Sequence, residues 1–328
     1  MFLAPEGPEV EIADSAAKFL SRAIPLERLH GADASPALTP RLRAEFAAMG
    51  WFGLVLPERE GGSGLSPVEH ALFHREVGRH CGPVDVLAQS LAALVAEERR
   101  LRDALLAGKH GVALAVGDGS ALRLLGAHDA VFALHVDREG AHLLDVTAIE
   151  AAVRPSLDPA TGMRTIVGAA PRTVAVSSDG DVWSLGQLGV AAMQVGVAER
   201  ALELIVEYAK VRETFGRKIG TYQAVRHACA DMALRTEGAR CQLWAAAAAM
   251  KERRSDAHVH LDAAKHLANR AAVTNADVDI QLHGAIGVTE EHHAHLVLKH
   301  SLLLARLFGS ERTLLARLLH GELEGSAG

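Results

Sequence analysis

The chain has 328 residues, 49% of them hydrophobic and 23% charged, with a net charge of -6 at pH 7; that length can bury a real core and points to more than one domain. No apolar run reaches the roughly 20 residues a membrane helix needs, and "MFLAPEGPEVEIAD" shows no basic region ahead of an apolar one. Mild acidity argues against bulk nucleic-acid binding, so the expectation is a cytoplasmic protein without membrane insertion, its Cys81, Cys229 and Cys241 reduced.

In chain order, helical periodicity comes first. "EVEIADSAAKFLSRAI" and "TPRLRAEFAAMGWFGLVLP" place apolar residues three and four apart. "SPVEHALFHREVGRHCG" adds a third helix, with Ser66 as cap, Pro67 in the first turn and Glu69 completing a capping box. From about Gly111 the texture changes. "GVALAV", "AVFALHV", "AHLLDVTAI" and "RTVAVSS" are short apolar or alternating runs between Gly and Asp, the pattern of strands. Beyond Leu185 the chain reads as four helices. Val190, Met193, Val197, Ala201, Leu204 and Tyr208 make a stripe on the first. The second starts at "TYQAVRHACADMALRTEGARCQ" and the third at "SDAHVHLDAAKHLANRAAVTNADVDIQLHG". The fourth, "TEEHHAHLVLKHSLLLARLFG", takes Thr289 as its cap, with Glu290 and Glu291 in its first turn. The expected fold is mainly α with a small β domain. Residues 1–108 form an N-terminal helical domain, 109–180 a reduced middle β domain and 181–328 an antiparallel four-helix bundle.

Three places carry candidate chemistry. "KVRETFGRKIGTYQ" sets Lys210, Arg212, Arg217 and Lys218 around a Gly-bearing break between two helices, where a phosphate would find guanidinium forks and free helix N–H groups; from charge alone it reads first as a solvated basic turn, since charge runs are usually exposed faces. "QLHGAIGVTEE" puts Gln281 and His283 before a break at Gly284 that another molecule can approach closely. His292 and His295 are one helical turn apart, a metal-ligand spacing, but His293 and His300 bring no matching set from elsewhere, and no metal is expected.

The motifs together resemble the acyl-CoA dehydrogenase family. "AAMGWFGLVLPEREGGSGLS" resembles the end of that family's N-terminal domain, "VRETFGRKIGTYQ" its Arg-x-x-Phe-Gly…Gln segment, and "DIQLHGAIGVTEE" its Gln-x-x-Gly-Gly-x-Gly turn, with Ala285 in place of the second glycine. The resemblance implies that FAD lies in a seam between subunits. It implies that Arg212 and Thr214 meet its phosphates or ribose with Phe215 packing nearby, and that Gln223, Gln281, His283 and Gly284 line its adenosine-pyrophosphate part from the neighbouring subunit's side.

Two family features are missing. The sheet segment has neither the Glu-Pro of the family's Thr/Ser-Glu-Pro motif nor its Trp-Ile-Thr strand. The catalytic carboxylate that the family carries is also missing: Phe308 stands at one of its two positions and Gly186, beside Gln187, at the other. The resemblance therefore implies a subunit that lends FAD-binding residues to a related acyl-CoA dehydrogenase chain in an alpha2beta2 heterotetramer. The partner would bind most of the acyl-CoA, an electron-transfer acceptor would take the electrons, and steroid or steroid-side-chain CoA thioesters are the implied substrates. The alternatives are an active homo-oligomer with a displaced base, for which Glu199, Glu290 and Glu311 are nominal candidates, or a flavin-free structural homologue.

Overall fold

A computed structural model describes residues 5–30, 38–117 and 121–321. Helix α1 (Pro8–Ala23) is followed by α2 (Pro40–Ala48), α3 (Pro67–Arg79), α4 (Asp85–Val95) and α5 (Arg99–Leu106). Seven strands come next: β1 (Val112–Gly117), β2 (Ala121–Leu125), β3 (Phe132–Val136), β4 (Ala141–Asp145), β5 (Ala152–Arg154), β6 (Met163–Val167) and β7 (Arg172–Ser177). The long α6 (Gly180–Val211) leads into a hairpin of β8 (Glu213–Thr214) and β9 (Arg217–Lys218). Then come α7 (Gln223–Lys251), α8 (Ala257–His283), α9 (Ala294–Leu304) and α10 (Glu311–Leu318). This is the mainly helical architecture with a β middle that the sequence predicts.

The chain forms two compact units that interleave along the sequence. One comprises Ala34–His70 and Gly82–Gly186, the other Met1–Asp33, Ala71–Cys81 and Gln187–Gly328. In the first, the capping box at α3 forms as expected. The Ser66 N–H donates to Glu69 Oε2 at 2.9 Å, and the Val68 N–H donates to Ser66 Oγ at 3.2 Å. The sheet order is β5-β6-β2-β1-β3-β4-β7, antiparallel throughout except for the β1–β3 pair. One face packs Ala113, Ala115, Leu124, Ala133, Leu144 and Ile166 into a buried cluster. Strands β2, β5 and β6 had no place in the sequence reading. β5 is exposed along its whole length and β6 is only half-buried, so neither has the alternation that marks a strand.

In the second unit, α7 and α8 bury a run of alanines, among them Ala239, Ala246, Ala264, Ala268 and Ala272, which lets helix backbones approach closely. Helices α3 and α6 cross closer still. A Cβ on Gly196 would lie 1.9 Å from the Arg75 carbonyl oxygen, and one on Gly78 would lie 2.0 Å from that of Met193. A polar layer runs through the bundle. Gln194 Nε2 donates to Asn269 Oδ1 at 3.2 Å and to the Ser301 carbonyl at 2.9 Å, and Lys265 Nζ donates to Asn269 Oδ1 at 2.6 Å and to the Leu304 carbonyl at 3.1 Å.

One expectation is overturned. The fourth bundle helix does not start at Thr289. The chain leaves α8 through Gly284 and runs a 3-10 turn from Gly284 to Val288, and α9 begins only at Ala294. Thr289 Oγ1 donates backward to the Ile286 carbonyl at 2.9 Å, closing that turn instead of capping a helix. The Nδ1 of His292 takes the capping role by accepting the Ala294 N–H at 3.1 Å. Ser310, by contrast, caps α10 as expected, accepting the Thr313 N–H at 3.3 Å.

Candidate functional site

The basic segment between α6 and α7 folds as a tight hairpin. Thr214 pairs with Arg217 and Glu213 with Lys218, leaving Phe215 and Gly216 as a two-residue loop. Both loop residues have positive φ, 50° at Phe215 and 75° at Gly216, the requirement of a type I′ turn. Gly216 takes this conformation freely. For Phe215 it costs on the order of 1 kcal/mol, and the ring gains no burial in return: the residue is 98% exposed. The turn is braced from behind. The Tyr222 hydroxyl donates to the Thr214 carbonyl at 2.9 Å, and the Arg217 guanidinium lies 4.0 Å from the centre of the Tyr222 ring. Arg212 stands exposed at the hairpin's base, its N–H donating to the Tyr208 carbonyl at 2.8 Å. Gln223, first residue of α7, is also exposed. Beside the hairpin, Lys210, Lys218 and Arg226 rim a cleft of about 460 Å³ with Val206, Ala209 and Val225 on its walls.

The second segment lies against the first. His283, the last residue of α8, places its ring 4.4 Å from that of Tyr208, one turn before Arg212 on α6. The end of α6 and the end of α8 thus meet through the Tyr208–His283 contact. Gln281 and Gly284 are exposed. Gly284 adopts φ 70°, ψ -145°, a region essentially closed to other residues. His283 behaves differently: it is buried, with Nδ1 2.9 Å from a carboxylate oxygen of Asp279. The structure therefore brings Arg212, Thr214, Phe215, Gln223, Gln281 and Gly284 to the surface of one unit and turns His283 inward.

The expected base positions hold no acid. Phe308 is 7% exposed, in a turn with φ 53°. Gly186 is buried in α6, and its neighbour Gln187 donates from Nε2 to Asp262 Oδ1 at 2.7 Å. Of the nominal alternatives, Glu199 is held by arginines, while Glu290 and Glu311 are exposed. Glu199 is 9% exposed and sits 3.2 Å from Arg75 and 3.6 Å from Arg240; burial raises its pKa, against the pull of Arg75. The carbonyl of Glu290 meets His30 Nδ1 at 2.7 Å, and Glu311 occupies the first turn of α10. Among the described residues no group of His, Cys, Asp or Glu is arranged to hold a metal. The histidines instead contact one another: His30 Nε2 lies 2.6 Å from His293 Nδ1, and the His292 ring lies 4.2 Å from that of His283, tilted by 50°. Sequence reading missed Asp279 and His30 and saw Tyr208 only as part of a helix stripe, because the pairings that give them meaning join distant segments.

Residues 8–99 match the model "Acyl-CoA dehydrogenase, N-terminal domain" and residues 184–321 match "Acyl-CoA dehydrogenase, C-terminal domain". The chain is 32% identical to acyl-CoA dehydrogenase IpdE2 of Mycobacterium tuberculosis over 285 residues, 82% of either protein. It belongs to the acyl-CoA dehydrogenase family. It is also 36% identical to acyl-CoA dehydrogenase FadE34 of the same organism over 278 residues, but these cover 78% of this chain and only 38% of FadE34. Among solved structures, the "Tcur3481-Tcur3483 steroid ACAD G363A variant" superposes with a TM-score of 0.79 at 25% identity, covering 95% of this chain and 97% of that one. The ChsE4-ChsE5 complex of Mycobacterium tuberculosis shares the fold, with a TM-score of 0.81 at 20% identity over 98% of either chain. No described helix of this acyl-CoA dehydrogenase family member is long and apolar enough to cross a membrane.

Proposed function

We propose that this chain is the non-catalytic subunit of a flavin-dependent acyl-CoA dehydrogenase, lending a FAD-binding face to a related subunit that carries the base. The observation behind the reading is a mismatch within one chain: the hairpin keeps Arg212 and a strained, bare Phe215 ready for a ligand, while both base positions hold residues, Phe308 and Gly186, that cannot take a proton.

The face suits the phosphate-bearing half of FAD. Arg212 supplies a guanidinium fork, Gln223 and Gln281 supply amide donors and acceptors, and Gly284 leaves its surroundings open, since a Cβ there would meet nothing within 4 Å. The sheet, lacking the Glu-Pro and Trp-Ile-Thr segments, is a poor support for the isoalloxazine ring. When bound, FAD supplies hydride acceptance in α,β-desaturation of an acyl-CoA. The role of this chain is to bind and orient; abstraction of the α proton falls to a carboxylate of the partner. The printed description of the Tcur3481-Tcur3483 structure as a steroid ACAD supports a steroid-derived acyl-CoA as the substrate class. An α2β2 assembly follows, with half as many flavins as subunits.

Purification of the chain alone and with a related subunit from its gene neighbourhood tests the reading, scored by flavin absorbance per subunit and acyl-CoA oxidation. We expect a colourless, inactive chain alone and a yellow, active complex that loses flavin on Arg212→Ala. Full flavin loading and turnover by the chain alone would sink it.

A further inference from the structure

The Asp279–His283 pair lies buried directly behind the Gln281–Gly284 turn. Asp279 is fully buried and His283 is 5% exposed. His283 Nδ1 is 2.9 Å from an Asp279 carboxylate oxygen and 2.8 Å from the Asp279 carbonyl oxygen. Beyond that contact, neither carboxylate oxygen has a hydrogen-bond partner among the described residues, and His283 Nε2 is buried with none. The turn packs close against the base of this side chain: a Cβ on Gly287 would lie 3.0 Å from the His283 Cβ. Gly284 follows His283 directly in the chain.

We propose that the Asp279–His283 pair is a proton-dependent positioning element: protonated, it keeps the Gln281–Gly284 turn receptive to an anionic, pyrophosphate-bearing ligand, and deprotonated, it repels one. The inference rests on the flavin reading above.

A buried carboxylate whose main partner is one imidazole is costly unless the pair holds a proton. Burial alone drives His283 toward its neutral form, but the side-chain and backbone bonds to Asp279 and the carboxylate charge outweigh it, so the imidazole holds its proton above the usual range. Burial also raises Asp279, against its bond to His283, the His283 charge and that of Arg200. The two titrate as one unit. With the proton, the pair is neutral overall. Without it, a lone carboxylate remains at the C-terminal end of α8, where the helix dipole is already negative, and both fields oppose a phosphate at Gly284.

Other groups face the pair from each neighbouring element. From α6 come the Tyr208 ring, 4.4 Å from His283, and the charge of Arg200. From α7 comes Cys229, whose thiol is raised by burial and then by Asp279. Ahead of α9 lies His292, 4.2 Å away, lowered to about 4 by burial and then by the charges of His283, His293, His295 and His30. His292 therefore stays neutral while the pair titrates.

Two measurements test this. Histidine NMR titration of the chain alone follows His283 in the wild type and in Asp279→Asn. FAD titration, from about pH 6.5 to about 8.5 around and above the ordinary histidine pKa, uses whichever assembly retains flavin, this chain alone or with its partner. We expect wild-type His283 to titrate above that ordinary value and FAD affinity to fall about tenfold as it does, the scale of one nearby unit charge. Asp279→Asn should abolish the pH slope, and the neutral double variant Asp279→Asn, His283→Gln should be equally flat. A purely structural role lowers affinity equally at every pH. Wild-type His283 titrating at or below its ordinary value, or an affinity flat with pH, overturns the inference without any variant and leaves the flavin reading standing; so does an equal slope in Asp279→Asn. Absence of flavin from every assembly overturns the flavin reading and this inference with it.

Discussion

Lys265 shows how far a single residue can depart from its type. Its side chain is fully buried, its ammonium satisfied by Asn269 and by the last carbonyl of α9, and burial lowers its pKa to about 7. An unfolded lysine keeps its proton to about pH 10.4. Between those values the unfolded chain binds more protons than the native one, so this site makes stability rise with pH. We expect the Tm difference between wild type and Lys265→Met to shift in favour of the wild type as pH rises from about 7 to about 9.5; parallel profiles would contradict the assignment. Nothing in "DAAKHLANR" marks Lys265 for the interior, because its neighbours alternate freely between polar and apolar. The exposed site residues were more legible. Arg212, Phe215, Gln223 and Gly284 lie in motifs whose glycines and charges announce a turn, whereas the inward rotation of His283 depends on Asp279, Tyr208 and His292 closing around it.

At the scale of elements, the crossing of α3 and α6 depends on the absence of two side chains. Gly196→Ala would push a methyl group into the Arg75 carbonyl, 1.9 Å away, where only backbone can yield. Overpacking of this kind costs about 3 kcal/mol, which for a chain of 328 residues unfolding as one unit lowers Tm by roughly 4 °C. A thermal melt checks it, and a loss of only about 1 °C would mean that the helices slide apart cheaply. The long helices were readable from periodicity alone, and the caps at Ser66 and Ser310 from local chemistry. The start of α9 was not. "TEEHH" has the composition of a helix N-terminus, yet the chain leaves α8 through a 3-10 turn from Gly284 to Val288 and those five residues form the loop that follows it. Strands β5 and β6 escaped because one is exposed throughout and the other mostly half-buried, so neither carries an alternation to read.

For the whole molecule, the compact units gather segments from distant parts of the chain: Ala71–Cys81 joins the helical bundle although it lies ahead of every strand. A reading from end to end lists segments in order, while compactness follows contacts between remote ones. The proposed division of labour between subunits belongs to this scale. If the sheet cannot support a flavin ring, restoring an acid at one position restores nothing. Phe308→Glu in the complex should add no turnover per flavin and should destabilise the fold, since it buries a carboxylate at a site that is 7% exposed; a doubling of active sites would refute the sheet argument. The hairpin at Phe215 bears on assembly differently. Its tip is fixed by two strand pairs, by the Tyr222 hydroxyl and by the Arg217 stack before anything covers it. The entropy of ordering that loop is spent during folding, so a partner meets a rigid knob, and docking is governed by how well a socket fits it.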